Sequence, residues 1–230
     1  MSRSRLLLLF DIDGTLLQRS SGEHAQALRE AAARIHGLPS LGGEVEAAGR
    51  TDGAILRDLL LAAGVEGEAS DARWAEVQAA TVAAFEELCP PDISDRVAPG
   101  VGELLPALAA RPDEFRLSLV TGNLEPVARI KLARAGLGGW FEPGQGGFGS
   151  DHHSRARLPP IARERAGGWP QQHTVVIGDT PRDIACARAD GLRVAAVATG
   201  PFAIEALADA DAVVDDARAL LPVLEDFAAR

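Results

Sequence analysis

Three short segments of this 230-residue chain hold side chains suited to anion and cation chemistry. They are Asp11 and Asp13 in DIDGT, the triplet Thr121-Gly122-Asn123, and Asp179 with Asp183 in GDTPRD. Two acids in alternation on an extended segment repel one another unless a cation or a shared proton compensates. Asp11 and Asp13 therefore call for a metal ion more than for a place in a core. Each segment closes an apolar run: LLLLF before Asp11, FRLSLV before Thr121, and HTVVI before Gly178. Such runs, ended by turn residues, predict strands buried on both faces, and their ends are where an α/β sheet holds its ligands. In a parallel sheet these ends share one edge, so Asp11, Asp13, Thr121, Asp179 and Asp183 can converge across long stretches of chain.

The elements that must position these residues fall into two groups. Residues 23–36, 51–63 and 70–88 have apolar positions at helical spacing, with Thr51 and Ser70 as N-caps and Gly37 and Gly64 as stops. Nothing there reads as a strand. From Val97 onward, short apolar runs alternate with helical patterns through DAVVDD to a C-terminal helix, which implies βαβ units and a parallel sheet. The expected fold is α/β: a parallel-sheet core of residues 1–17 and 97–230, with an all-helical insertion at 18–96 after the first strand. The crossing points are expected near Leu17 to Gly22 and Pro90 to Gly100.

Composition narrows the function. A hydrophobic content of 47% is ample for a sizeable core, and a net charge of -10 disfavours nucleic acid or an anionic membrane as partner. The opening MSRSRLLLLF resembles the start of a signal peptide, but its apolar part is too short and an aspartate follows at once. With no run of about 18 apolar residues elsewhere, a cytoplasmic protein is expected. Cys89 and Cys186 are too few for a disulfide framework and read as reduced thiols. Lys131 is the sole lysine among 23 basic residues.

DIDGT at 11–15, the threonine at 121, a basic residue near 155 and GDTPRD at 178–183, in that order, resemble the haloacid dehalogenase superfamily. The likeness is to its phosphoglycolate-phosphatase-like branch, which carries a helical cap after the first strand, and it spans nearly the whole chain. It implies a Rossmann-like core and a Mg²⁺-dependent phosphatase of small phosphomonoesters, with 2-phosphoglycolate as one candidate. In such an enzyme Asp11 would be the nucleophile that forms an aspartyl-phosphate, and Asp13 would protonate the leaving oxygen and later deprotonate water. Asp11, Asp179 and the backbone carbonyl of Asp13 match the family's Mg²⁺ ligands. Gly14, Thr121, and the amides of Gly122 and Asn123 would contact the phosphoryl oxygens. The family's basic residue corresponds to Arg155 or Arg157; the spacing to Leu158 and Ala162 favours Arg155, with Arg157 kept as the alternative. Asp183 would accept hydrogen bonds from that residue or from metal waters, and Arg50 in the cap would read a second anionic group on the substrate. Halide-displacing members lack an acid at the position of Asp13 and phosphonate-cleaving members carry a small residue there, so Asp13 implies phosphoester chemistry.

Other features are set aside. GQGGFG at 144–149 lacks the strand and helix that a dinucleotide fingerprint requires and reads as a flexible loop. The adjacent His152 and His153 read as solvated loop residues, His24, His36 and His173 as isolated ones, and Lys131 as a structural residue in mid-helix. Two alternatives stay open: a phosphotransferase resembling β-phosphoglucomutase, and a non-catalytic binding protein of the same fold. The expected partner is a small phosphorylated metabolite. Cap and core helices could each bear an interface, so monomer and homodimer both remain open.

Overall fold

A computed structural model of the chain describes residues 4–229. The first strand, β1 (Leu6–Phe10), is buried along its whole length. The first three residues of the signal-like opening lie outside the described residues, and the apolar part of that opening is this strand. Its side chains alternate between two apolar clusters. Leu6, Leu8 and Phe10 enter one and Leu7 and Leu9 the other. Each contributes roughly 2 kcal/mol by leaving water, which is why a run without polar interruption serves as a central strand.

Four helices follow with no strand among them: α1 (Gly22–His36), α2 (Asp52–Ala62), α3 (Gly67–Ala72) and α4 (Trp74–Leu88). Thr51 caps α2 by accepting from the Ala54 amide, and Gly37 closes α1 in the left-handed conformation. Ser70 does not cap a helix. Its amide already donates to the Glu66 carbonyl inside α3, and the expected helix over 70–88 is broken at Arg73, whose guanidinium reaches the Ile35 carbonyl on α1. Leu28 of α1, Leu56, Leu59 and Leu60 of α2 and Val77 of α4 form an apolar cluster of their own.

The chain leaves and returns at one place. Leu17 and Val97 form an antiparallel bridge, flanked by hydrogen bonds from the Gln18 amide to the Arg96 carbonyl (2.7 Å) and from Ala98 to Leu16 (2.9 Å). Then come α5 (Val101–Ala109), β2 (Phe115–Thr121), α6 (Glu125–Arg134), β3 (Gly147–Phe148), α7 (Leu158–Arg165), β4 (Thr174–Gly178), α8 (Pro181–Ala189), β5 (Arg193–Val197), β6 (Ala212–Val214) and α9 (Leu220–Ala229). The six strands are parallel in the order β3-β2-β1-β4-β5-β6. Helices α5, α6 and α9 cover one face, and α7 and α8 the other.

The sequence reading of residues 144–149 as a flexible loop is corrected here. Gly147 and Phe148 are buried and pair with Val120 and Thr121 as the edge strand β3. Two residues carry too little pattern to be seen as a strand until β2 is there to receive them. The strand order reverses around β1, with β2 and β3 on one side and β4 to β6 on the other. The carboxyl ends of β1 and β4 therefore flank a topological switch point, where open α/β sheets bind ligands.

Candidate active site

Asp11 directly follows β1, Thr121 ends β2, and Asp179 directly follows β4, so the three apolar runs deliver their polar ends to the same edge. They open into a cavity of about 610 Å³ between the sheet edge and the inserted helices, lined by Asp11, Asp13, Thr121, Arg155 and Asp179 from below and by His24 and Arg50 among others from above.

Asp11, Asp179 and Asp183 each bring a carboxylate oxygen within 4.8 Å of the others, and all three residues are buried. Burial pushes the Asp11 carboxyl up to about 7 against the pull of Arg155, with Asp183 and Asp13 adding to the rise. Burial likewise pushes Asp179 up to about 8, reinforced by the charges of Asp11 and Asp183. Arg155 compensates in part: its guanidinium lies 3.0 Å from Asp11 Oδ1 and donates to Asp183 Oδ1. Asp183 is spent on positioning. Its second oxygen accepts from the Thr180 amide and hydroxyl in a capping box that opens α8. Of the two arginines, Arg155 lies buried against these acids and Arg157 is exposed.

The two oxygens of Asp179 differ in their surroundings. Its Oδ1 accepts from the Thr15 hydroxyl (3.1 Å), whereas its Oδ2 is buried with no hydrogen-bond partner. A Cβ added at Gly14 or Gly200 would fall 2.1 or 1.7 Å from that oxygen, so the backbone comes closer there than any side chain would allow. Buried carboxylates beside one unpaired oxygen form an all-oxygen donor set of the kind hard divalent cations take. The residues present thus fit a metal.

Asp13 sits differently. Its carboxylate accepts from Lys131 Nζ at both oxygens (2.7 Å each), from Asn123 Nδ2 (2.8 Å) and from the Ser20 hydroxyl. Burial would raise its pKa, but the Lys131 ammonium and these hydrogen bonds outweigh that and hold it well below the usual carboxylate range. Reading Lys131 as structural is therefore incomplete, because its ammonium touches the site. The available signal was its face: Val127, Ala128, Lys131 and Ala135 stand at helical spacing, and all four are buried.

Thr121 is fully buried, and its Oγ1 accepts from Asn123 Nδ2 (2.7 Å), which leaves its hydroxyl proton free to donate. Asn123 acts beyond its amide, since its side chain joins Thr121, Asp13 and Lys131. Gly122 lies where the inserted segment meets the sheet. The Asp52 amide donates to its carbonyl (2.9 Å), and an added Cβ would fall 1.9 Å from the Arg50 carbonyl. Gly122→Ala is expected to cost about 1–3 kcal/mol by overpacking and to depress turnover by pushing the 50–52 segment away. Unchanged Tm and turnover would show that this contact has no bearing on the site.

Arg50 lines the cavity, but its guanidinium is engaged by Asp58 (2.7 Å) and the Ala54 carbonyl (2.9 Å). His24, read from sequence as isolated, is buried against the site, with Nε2 3.0 Å from Asp52 Oδ2 and Nδ1 3.4 Å from Lys131 Nζ.

Residues 8–188 match the model of the haloacid dehalogenase-like hydrolase family. The chain belongs to that family. Haloacid dehalogenase-like hydrolases span several reactions, and likeness to individual members narrows the choice. A phosphoglycolate phosphatase of Cereibacter sphaeroides is 31% identical over 194 residues, covering 84% of this chain and 85% of that protein. This similarity places the chain among the family's phosphatases. Two solved structures share its fold. One is CbbY from Rhodobacter sphaeroides in complex with phosphate (TM-score 0.64, 21% identity, 96% of this chain and all of that one). The other is β-phosphoglucomutase from Clostridium difficile (TM-score 0.66, 17% identity, 98% of each chain).

Proposed function

We propose that this family member is a Mg²⁺-dependent phosphatase of small phosphomonoesters that works through an aspartyl-phosphate on Asp11. What carries the reading is the buried grouping of Asp11, Asp179 and Arg155 at the switch point, with Asp179 Oδ2 left without a partner. Asp11, Asp179 and the Asp13 carbonyl would hold the ion; when bound, it offsets the negative charge of nucleophile and phosphate so that the two can approach.

The chain's own residues account for the rest. An Asp11 carboxylate oxygen attacks phosphorus as the bond to the ester oxygen breaks, and Asp13, which Lys131 favours as the anion in the free site and which takes up a proton once the anionic substrate is bound, gives that proton to the ester oxygen. Water then attacks the phosphorus of the aspartyl-phosphate, Asp13 takes the water's proton, and Asp11 and inorganic phosphate are released. Thr121 and the Gly122 and Asn123 amides donate to the phosphoryl oxygens, with Gly14 beside them, and Arg155, oriented by Asp183, counters their charge. Residues 18–96 serve as the cap and residues 1–17 with 97–230 as the core, a division supported by the Leu17 to Val97 bridge where the chain crosses. The phosphotransferase alternative requires side chains that read a sugar. The cap's Arg29 is already spent on the Leu41 and Gly43 carbonyls and Arg50 on Asp58, which favours hydrolysis.

No helix among the described residues is long and apolar enough to cross a membrane. Cys89 and Cys186 are buried and unpaired, as suits a reducing compartment.

The test is a panel of phosphorylated metabolites, 2-phosphoglycolate included, assayed for phosphate release with and without Mg²⁺ and ranked by kcat/KM. Mg²⁺-dependent release from small monoesters is expected. Sugar-phosphate interconversion faster than release would favour the phosphotransferase, and silence across the panel would overturn catalysis.

A further inference from the structure

We propose that Lys131 is a positioning residue: its ammonium, braced by His24 and Asn123, holds the Asp13 carboxylate in the orientation from which it serves the ester oxygen. The inference rests on Asp13 being the acid and base of the reading above.

Every other basic position of this chain that is not histidine is arginine, yet its one lysine is 0% exposed and lies inside the site. Burying an ammonium is costly unless each of its protons finds a partner. Here they do. Lys131 Nζ is 2.7 Å from both Asp13 oxygens, 2.8 Å from Asn123 Oδ1 and 3.4 Å from His24 Nδ1. A compact ammonium can serve three partners arranged around a point, whereas the planar fork of arginine aims its donors within one plane. The geometry accounts for a lysine here in a chain that otherwise uses arginine.

The brace is backed from the inserted helices. An ammonium can only donate, so His24 Nδ1 is the acceptor, and His24 Nε2 lies 3.0 Å from Asp52 Oδ2 without hydrogen-bond geometry. The same Asp52 oxygen accepts from the Leu124 amide (2.8 Å) at the start of α6, the helix that carries Lys131. Phe85 of α4 closes the remaining side, its ring centroid 6.0 Å from Nζ and 5.6 Å from the His24 ring. The Asp13 carboxylate is thus held from residues 20, 123 and 131 at once, and the ammonium that holds it is roofed by the inserted helices.

The test compares 4-nitrophenyl phosphate, whose leaving oxygen needs little protonation, with glycerol 2-phosphate, whose leaving oxygen needs it fully. Lys131→Met is expected to lower kcat on the alkyl ester by on the order of 100-fold, the lower end of what positioned acid–base catalysis contributes, and on the aryl ester by less than about 10-fold. Lys131→Arg, which keeps the charge, is expected not to restore the alkyl rate. Asp13→Asn/Lys131→Met removes both charges together, which protects folding, and its turnover is expected to equal that of Asp13→Asn alone. An equal loss on both esters, full recovery with arginine, or a further loss in the double variant would overturn the positioning role. A wild-type protein silent on both esters would instead remove the phosphatase reading and this inference with it.

Discussion

Asp11→Asn is expected to lower phosphate release from 4-nitrophenyl phosphate by at least about a thousand-fold, a conservative figure for the loss of a covalent nucleophile. The amide keeps the shape of the carboxylate and removes only its nucleophilic oxygen. The variant should still fold. Burial and the neighbouring acids already make an ionised Asp11 costly, with its carboxyl pushed up to about 7 despite Arg155. Arg155 keeps Asp183 as a partner when Asp11 is neutral. Tm at pH 8 is therefore expected to match or exceed that of the wild-type protein measured without metal. A folded Asp11→Asn variant, free of contaminating phosphatase, that kept most of its activity would make the nucleophile assignment wrong.

The second large effect links the metal to pH. The Asp11 and Asp179 carboxyls, raised to about 7 and about 8 from an ordinary value of 3.8, keep their protons in the folded chain at a pH where the unfolded chain has lost them. The folded state therefore binds more protons between about pH 4 and pH 8, and metal-free stability falls as pH rises through that window. A divalent cation competes for the same oxygens, so its binding releases protons and strengthens as pH rises. Mg²⁺ at 100 times its Kd should add about 2.7 kcal/mol at pH 8, roughly 5–10 °C in Tm for a chain of this size, and far less at pH 5. Asp179→Asn is expected to raise the metal-free Tm at pH 8 and to abolish the Mg²⁺ response. Thermal denaturation with and without Mg²⁺ at the two pH values reads all of this without an activity assay. An equal Mg²⁺ shift at pH 5 and pH 8, or an intact shift in the Asp179→Asn variant, would remove Asp179 from the metal site.

Much of the catalytic edge was legible because strand chemistry is local. Five leucine and phenylalanine residues before Asp11 can satisfy their burial only as a central strand, and the same logic brought Thr121 and Asp179 to that edge. Helix spacing favours Arg155 over Arg157, and in the fold the Arg155 guanidinium reaches Asp11 and Asp183 while the Arg157 side chain faces solvent. Thr51 was readable as a cap because capping involves only residues a turn apart.

Two features read otherwise from sequence, Ser70 and residues 147–148, take their structure in company with distant parts of the chain. Ser70 has the residue type of a cap but lies inside α3, and the break falls at Arg73, whose guanidinium reaches α1. Gly147 and Phe148 become a strand only against β2. Arg50 shows a free charge on paper and an ion pair with Asp58 in three dimensions.

The residue types and their order determined the sheet, the acids at its edge and the family, since each depends on patterns a few residues long. The tertiary structure decided what surrounds those acids. It left Asp179 Oδ2 without a partner and wrapped Asp13 in Lys131, Asn123 and Ser20. It also brought His24 of the inserted helices onto the one lysine, 107 residues away in sequence. Charge and hydrogen bonding act through space, so the protonation and orientation of an acid are set by neighbours that only folding supplies.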